Sequence, residues 1–177
     1  MKTFEEFCAT DTLQRLYYGS HRPALYRALL ATRDDKRPVL ELGMGDTSTQ
    51  LLHDCCDATG RRLFSVETDD SWREKLAHLA VGFHVFAKEP PNEFPIESMQ
   101  WSVALIDHAP ANDRYRELDR LADRCVIIVI HDVGSCCWPM ASLKQRFKYA
   151  VEDLATPGLP PTGVVSNTFD VSGWMFP

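Results

Sequence analysis

The chain has 177 residues, 45% hydrophobic and 25% charged, which is the composition of an ordinary folded globular protein. Its formal net charge is −6 at pH 7 and it has no long basic run, which disfavours a nucleic-acid partner. The N-terminus lacks the apolar core of a signal peptide, and no apolar run approaches membrane-spanning length. We therefore expect a cytoplasmic protein with no membrane partner.

The chain contains 6 cysteines, including the vicinal pairs Cys55-Cys56 and Cys136-Cys137. Without a secretory signal, an even number of cysteines does not imply a set of disulfides. The vicinal pairs also lack the Cys-x-x-Cys spacing of many zinc and redox sites. We interpret the cysteines as small buried thiols and assign none of them to a metal.

The first part of the chain is predicted to form two helices. Apolar residues within Phe4–Tyr17 and within Pro23–Ala31 recur at spacings near the period of a helix. Ser20 is placed to cap the second helix, and Pro23 suits its first turn. We expect residues 1–35 to form a helical cap on a core of residues 39–177, within a single domain.

From Val39 onward, strand-like apolar runs alternate with helical patterns. Strands are predicted at Val39–Gly43, Arg62–Glu67, Phe83–Ala87, Trp101–Ile106 and Cys125–Ile130. Helices are predicted at Thr47–Asp57, Asp69–Ala80, Asn112–Ala122 and Met140–Leu154, and a closing hairpin at residues 163–166 and 169–176. This order predicts an α/β fold with a doubly wound, mostly parallel, seven-stranded sheet, N-terminal helices and a C-terminal antiparallel hairpin.

The turn after the first predicted strand is the most informative segment, and residues 41–48 read Glu-Leu-Gly-Met-Gly-Asp-Thr-Ser. Its glycines allow a sharp turn and a close approach of a ligand, and the next helix offers unpaired N–H groups. An acidic residue beside such a turn suits a cationic ligand better than a pyrophosphate. The pattern favours S-adenosylmethionine (SAM), whose sulfonium and amino groups are both positive. The predicted cofactor-binding residues here are Glu41, Gly43, Gly45, Asp46, Thr47 and Ser48.

Polar residues also follow the other predicted strands, at the sheet edge where ligands bind in such folds. Glu67, with Thr68 beside it, ends the second strand and is placed to accept the ribose hydroxyls of an adenosine, or alternatively to cap the next helix. Asp107-His108 follows the fourth strand as part of the site or as a loop cap. His131-Asp132 leaves the most apolar strand, where two polar residues need partners or a pocket.

From about Val39 to its C-terminus, the sequence resembles the class I SAM-dependent methyltransferases, which have a Rossmann-like fold. The resemblance rests on the glycine turn (motif I), Glu67, Asp107 and the final hairpin. It implies that motif I lies along the methionine part of SAM, that Glu67 binds the ribose, and that the residues after the fourth and fifth strands face the acceptor. We place Asp107 among the cofactor-binding residues. Residues 106–110, with residues 130–132, resemble a little-characterised branch of this fold.

Two departures from the family pattern bear on the chemistry. Thr47 stands where a third glycine is common in motif I. Asp107 and Asp132 resemble the metal-binding carboxylates of the catechol-type O-methyltransferases, but the lysine base of that group has no counterpart after Asp107. We therefore assign no metal ligands and keep a divalent metal only as an alternative.

Methyl transfer from SAM is an in-line displacement, in which the enzyme positions the reactants and removes a proton from a hydroxyl acceptor. We predict His131 or His108 as the base, with Asp132 orienting the imidazole. The expected activity is O-methylation of a small molecule or a glycan, by a chain that forms a homodimer. One alternative is a Rossmann-type NAD(P)-dependent oxidoreductase, because residues 43–48 imitate G-x-G-x-x-G. The other is a non-catalytic SAM-binding subunit of a partner enzyme.

Overall fold

The computed structural model describes residues 1–15, 17–134, 139–153 and 158–176. Its strands are β1 (Val39–Leu42), β2 (Leu63–Val66), β3 (His84–Ala87), β4 (Trp101–Ile106), β5 (Cys125–His131), β6 (Tyr149–Asp153) and β7 (Thr162–Ser166). They form a 7-stranded sheet in the order β3-β2-β1-β4-β5-β7-β6. The first five strands are parallel, and β7 runs antiparallel to both β5 and β6. The predicted fold class is confirmed.

Helices cover both faces of this sheet. They are α1 (Phe4–Thr10), α2 (Arg22–Ala31), α3 (Thr49–Thr59), α4 (Asp70–Lys75), α5 (Arg114–Leu121) and α6 (Met140–Arg146). Val103 and Leu105 of β4 pack with apolar residues of α2 and α3, whereas Ala104 and Ile106 pack with those of α5 and α6. Every residue of β1 and β4 is buried, as expected of central parallel strands covered on both sides.

The N-terminal segment differs from its prediction. The first helix ends at Thr10, and Leu13–Arg15 and Tyr17–Gly19 form short 3-10 turns. A Cβ at Gly19 would lie 1.9 Å from the backbone oxygen of Leu13, so the chain folds back on itself too tightly to continue a helix. The hydroxyl of Ser20 does not cap α2, which has no side-chain cap, and lies 2.9 Å from His131 Nε2 instead.

The closing hairpin has one of its two predicted strands: residues 163–166 lie in β7, but the partner of β7 is β6 and not residues 169–176. The helix predicted at Met140–Leu154 ends at Arg146, and β6 follows it; Leu154 itself lies outside the described residues. Tyr149 and Val151 pack with the α2 and α3 side of the core, while Ala150 packs with the α5 and α6 side. This alternation is the period of a strand, so burial on both faces selects β structure here.

Residues 169–176, predicted as the second strand of the hairpin, contain no strand. Their aromatic side chains return to the N-terminal helices, where the guanidinium of Arg27 lies 5.1 Å from the ring centre of Trp174 and 5.7 Å from that of Phe176. Cation–π contacts and packing therefore hold the tail. Within the described ranges, no helix is long and apolar enough to cross a membrane.

The cysteines agree with their interpretation where the structure describes them. Cys55, Cys56 and Cys125 are buried and free, and Cys8 is half-buried. Burial raises the pKa of the Cys125 thiol to about 12, which makes it unreactive. The pair Cys136-Cys137 lies outside the described residues.

Gly43 and Gly60 both have left-handed backbones, but only Gly43 is crowded. Gly43 follows β1 with φ +94°, and a Cβ there would lie 2.6 Å from the backbone N and Cα of His108. Gly60 ends α3 with φ +64°, and a Cβ there would meet nothing within 4 Å. The close approach at Gly43 brings the turn after β1 against the loop after β4.

We expect Gly43→Ala to lower the free energy of unfolding by ~3 kcal/mol or more, because it combines left-handed strain with a backbone clash. Gly60→Ala, the matched control, adds the strain alone and should cost about 1–2 kcal/mol. Urea unfolding of both variants measures the difference. Equal losses would contradict the close packing of the two loops.

Candidate functional site

A cavity of about 880 Å³ opens beside the carboxyl ends of β1, β2, β4 and β5. This is the edge at which open α/β sheets bind their ligands, and the volume suits a drug-sized ligand. Its wall includes Gly43–Ser48, Glu67–Asp69, Asp107–Ala109, His131, Asp132, Tyr17, Tyr18 and Trp72. The structure thus brings together every predicted site residue except Glu41.

Glu41 lies beneath the glycine turn and not in the cavity. Its carboxyl group is fully buried and accepts hydrogen bonds from Ser48 Oγ (2.7 Å), Thr49 Oγ1 (3.0 Å) and Ser65 Oγ (2.5 Å). Thr49 Oγ1 in turn accepts from the backbone N of Gly45 at 3.0 Å. The expectation of direct cofactor contact therefore changes to a supporting role, since the acid holds the shape of the turn from below.

Burial raises the pKa of Glu41 to about 7, although hydrogen bonds from three hydroxyl groups oppose the shift. A row of polar contacts leads away from this carboxyl group. Ser65 Oγ also lies 2.8 Å from His84 Nε2, and His84 Nδ1 lies 3.1 Å from His53 Nδ1. Burial lowers the pKa of His84 to about 4, so its imidazole is neutral at pH 7.

Glu67 is held against the glycine turn by backbone hydrogen bonds. Its Oε2 accepts from the N–H of Met44 at 3.0 Å, and its Oε1 accepts from the N–H of Asp69 at 2.9 Å. Asp69 in turn caps α4 by accepting from the N–H of Ser71. Each carboxylate oxygen has capacity for a second donor, so a fixed carboxylate that can accept two ligand hydroxyls lies at the cavity wall.

The hydroxyls of Thr47 and Ser48 are occupied within the protein. Thr47 Oγ1 donates to the backbone oxygen of Tyr18 at 2.5 Å, and Ser48 Oγ donates to Glu41. Arg22, which is paired with Asp11 at 2.7 Å, donates to the backbone oxygen of Thr47. The contacts made by Thr47 and Arg22 fasten the N-terminal segment to the turn, whose residues line the cavity.

Arg114 is a site residue that the sequence analysis missed. Its guanidinium lies 3.0 Å from Asp107 Oδ1 and 3.2 Å from Asp132 Oδ2, and it donates to the backbone oxygens of His108 and His131. The buried positive charge of Arg114 therefore pairs with both Asp107 and Asp132, the two acids that resembled a metal-binding pair. The available signal was that Arg114 is the first basic residue after Asp107, at the start of the next helix.

His131 is oriented by Asp107 and not mainly by Asp132, which corrects the prediction. His131 Nδ1 lies 3.1 Å from Asp107 Oδ1 but 3.7 Å from Asp132 Oδ2. Burial alone would raise the pKa of Asp107, but the hydrogen bond from His131 and the charge of Arg114 outweigh it and lower the pKa. Asp132 has φ +62°, a left-handed backbone that asparagine and aspartate tolerate better than most residues.

His108, the other predicted imidazole, has a different environment. Its Nε2 lies 3.5 Å from Glu117 Oε2 of α5, and both side chains are buried. Neither atom has a hydrogen-bond partner among the described residues, so Glu117 does not orient the imidazole through a hydrogen bond in this structure. His108 also lines the cavity, so it stays a candidate base alongside the pair formed by His131 and Asp107.

His21 also contacts this cluster, although the sequence predicted no catalytic or metal-binding role for it. Its side chain is 1% exposed, its ring centre lies 4.8 Å from that of His131, and its Nδ1 lies 3.9 Å from Asp107 Oδ2. Burial lowers the pKa of His21 to about 3, so the imidazole is neutral at pH 7. Its position at the start of α2 brings the N-terminal segment into contact with the ends of β4 and β5.

Neither a protein-family model nor a curated protein sequence matches the chain. The chain does match solved structures. The N-methyltransferase NodS from Bradyrhizobium japonicum WM9 matches with a TM-score of 0.56 and 11% identity, covering 87% of this chain and 100% of that chain. The plantazolicin methyltransferase BpumL, solved with S-adenosylhomocysteine (SAH), matches with a TM-score of 0.58 and 11% identity, covering 92% and 88%. The chain has the class I methyltransferase fold.

This methyltransferase fold does not by itself determine the reaction. Spermidine synthase from Thermotoga maritima also matches the chain, with a TM-score of 0.60 and 12% identity, covering 86% of this chain and 60% of that chain. The chemistry must therefore be argued from the residues around the cavity.

The buried acid beneath the turn predicts a pH dependence of stability. The folded pKa of Glu41, about 7, lies above its ordinary value of 4.5, so the folded protein binds this proton more tightly than the unfolded chain. Its contribution to stability is fully present below about pH 4.5 and is lost as the pH rises through about 7. Glu41→Gln, which stays neutral, should remove this part of the pH dependence, measured by urea unfolding from pH 5 to 8.

The control is Glu74→Gln, which removes the same charge from an exposed position of α4. Its pH dependence should match that of the unchanged protein. If Glu41→Gln also leaves the pH dependence unchanged, Glu41 is already ionised in the folded state.

Proposed function

We propose that the chain is a SAM-dependent methyltransferase that methylates an oxygen of a small molecule or a glycan. The observation that carries the proposal is the Glu67 carboxylate, fixed by the N–H groups of Met44 and Asp69 at the wall of a methyltransferase-fold cavity. Such a carboxylate suits the two hydroxyls of a ribose. Trp72 lines the same cavity and offers an aromatic surface to an adenosine.

The charges around the cavity favour a cationic cofactor. Among the described lining residues, one is an arginine and five are acidic: Asp46, Glu67, Asp69, Asp107 and Asp132. An excess of negative charge attracts the sulfonium and amino groups of SAM and opposes the pyrophosphate of NAD(P). The same charge opposes a nucleic-acid acceptor. These charges support SAM over the alternative nicotinamide cofactor.

The rim of the cavity supports an acceptor of modest size. Leu13, Tyr17 and Tyr18 line it and are exposed, with the two tyrosine rings edge to face at 5.2 Å. Aromatic faces bind phenolic or sugar rings by packing, and their hydroxyls add hydrogen bonds. These side chains lie on the N-terminal segment that Thr47 and Arg22 fasten to the turn, so cofactor and acceptor would share one rigid wall.

In the proposed reaction, the acceptor oxygen bonds to the methyl carbon while the carbon–sulfur bond of SAM breaks, leaving a neutral thioether. The proton of the acceptor hydroxyl needs a base within reach. Both ring nitrogens of His131 face partners, Ser20 and Asp107, while the carboxylates of Asp107 and Asp132 are paired with Arg114, so the proton would pass to His131 and Asp107 acting as one unit. Asp107 then positions His131, and His108 is the alternative base.

Cofactor binding is tested by melting curves with SAM, SAH and NAD. We expect SAM and SAH to raise the melting temperature and NAD to leave it unchanged, because a ligand stabilises only the protein that binds it. Glu67→Gln, which loses the charge, should weaken SAM binding about 10- to 100-fold. Glu74→Gln on the exposed face of α4 is the matched control. Stabilisation by NAD alone would favour the oxidoreductase alternative.

Catalysis is tested by the formation of SAH from SAM with a panel of phenols, hydroxy acids and oligosaccharides. We expect Asp107→Asn to lower turnover about 100-fold or more, because the substitution disables the proposed base and such a loss typically costs this much. His131→Ala should also lower turnover. Unchanged turnover in both variants would contradict this assignment of roles. SAM binding with no turnover on any acceptor would favour the non-catalytic subunit.

A further inference from the structure

Three residues capable of binding a metal ion meet at the wall of the cavity. His21 precedes α2, Asp107 follows β4, and His131 ends β5. Their ligand atoms all lie within 4.8 Å of one another. Asp107 and His131 line the cavity, whereas His21 is buried behind them. The cluster therefore joins an N-terminal residue to the ends of two neighbouring strands.

Ser20 allows one arrangement of protons in which His131 is ready to bind a metal ion. Ser20 Oγ lies 3.0 Å from the backbone oxygen of Pro160, which can only accept, and 2.9 Å from His131 Nε2. When the Ser20 hydroxyl donates to Pro160 and accepts from His131 Nε2–H, the unprotonated Nδ1 of a neutral His131 faces Asp107 Oδ1, 3.1 Å away. In that tautomer Nδ1 and the carboxylate oxygen are both acceptors, and a cation that contacts both takes the place of the missing proton.

The ring of His21, which lies on the other side of Asp107 from the cavity, also lacks hydrogen-bond partners in the described part of the chain. Among the described residues, neither of its buried ring nitrogens has a hydrogen-bond partner. Its Nδ1 lies 3.9 Å from Asp107 Oδ2, too far for a hydrogen bond, while Arg114 takes Oδ1 of the same carboxylate. Buried polar groups without partners are uncommon and costly. One cation bound by the Asp107 carboxylate would satisfy His21 and His131 together.

We propose that His21, Asp107 and His131 bind a divalent first-row transition-metal ion, with zinc as the first probe. Two imidazoles and one carboxylate suit zinc and its neighbours better than magnesium or calcium, which prefer oxygen ligands. Three protein ligands leave coordination positions open, and the cavity lies on the side of Asp107 and His131. Ser20 acts as the outer hydrogen-bond partner that orients His131.

This set differs from the pair of carboxylates to which the sequence pointed. Asp132 is paired with Arg114 at 3.2 Å and belongs to no cluster of three metal-binding groups among the described residues. The N-terminal His21 replaces it as a ligand. A catalytic role for the ion rests on the proposed function: an ion at this wall would lower the pKa of an acceptor hydroxyl that reaches it. Metal binding itself is independent of that function.

The test uses the full-length protein, stripped with EDTA and dialysed, without SAM. We expect one Zn²⁺ to bind per chain in calorimetry, and Co²⁺ to give a visible absorption band from imidazole ligation. His21→Ala and His131→Ala should each weaken Zn²⁺ binding at least 100-fold and abolish the band. His78→Ala removes an exposed imidazole outside the cluster and should change neither. Ser20→Ala keeps all three ligands and should weaken binding about 10-fold, as loss of an outer partner does.

Circular dichroism and the SAM-dependent melting shift confirm that each variant is folded and retains the cofactor site. Zn²⁺ affinity that is unchanged in both His21→Ala and His131→Ala would overturn the site, since the ion would then bind elsewhere. Absence of Zn²⁺ and Co²⁺ binding to the unchanged protein would also overturn it. Either result leaves the SAM measurements intact, so failure of the metal site is distinguishable from failure of the proposed methyltransferase.

Discussion

The buried guanidinium of Arg114 is the interaction on which the candidate site depends. It contacts the carboxylates after β4 and β5, and the backbone oxygens of the residues next to them. Without this positive charge, the carboxylates of Asp107 and Asp132 would repel each other in a largely buried wall, which would destabilise the ionised form of both. Arg114 therefore allows two ionised acids to line one cavity, and it sets the direction in which each faces.

A second set of contacts connects the N-terminal segment to the glycine turn after β1. Thr47 and Arg22 bind the two segments together through backbone oxygens, and Gly43 allows the loop after β4 to approach from the other side. The turn is therefore enclosed by structure that is distant in the chain. Because Tyr17 and Tyr18 lie on the same N-terminal segment, the part of the wall proposed to bind an acceptor is positioned by the turn proposed to bind the cofactor.

The strands of the parallel core could be predicted because their apolar runs are short and lie between glycines and polar turns. The other strand of the hairpin, β6, could not, because residues 147–153 mix apolar and polar side chains in a way that suits either a helix or a strand. These residues form strand β6 because they pair with β7 along one edge and because Tyr149 and Ala150 are packed on opposite faces of the sheet. Local pattern is ambiguous wherever burial depends on a partner segment.

The sequence by itself determined the fold class and the sheet edge that carries the cavity, because parallel strands place their carboxyl ends together and each end bears polar residues. It also indicated Glu67, His131 and the two acids. Only the tertiary structure showed that Glu41 lies beneath the turn and that Asp107, and not Asp132, is the closer partner of His131. It also showed that His21 and Arg114 lie beside these residues. Those roles depend on contacts between residues far apart in the chain, and neither periodicity nor spacing along a sequence contains the distance between such residues.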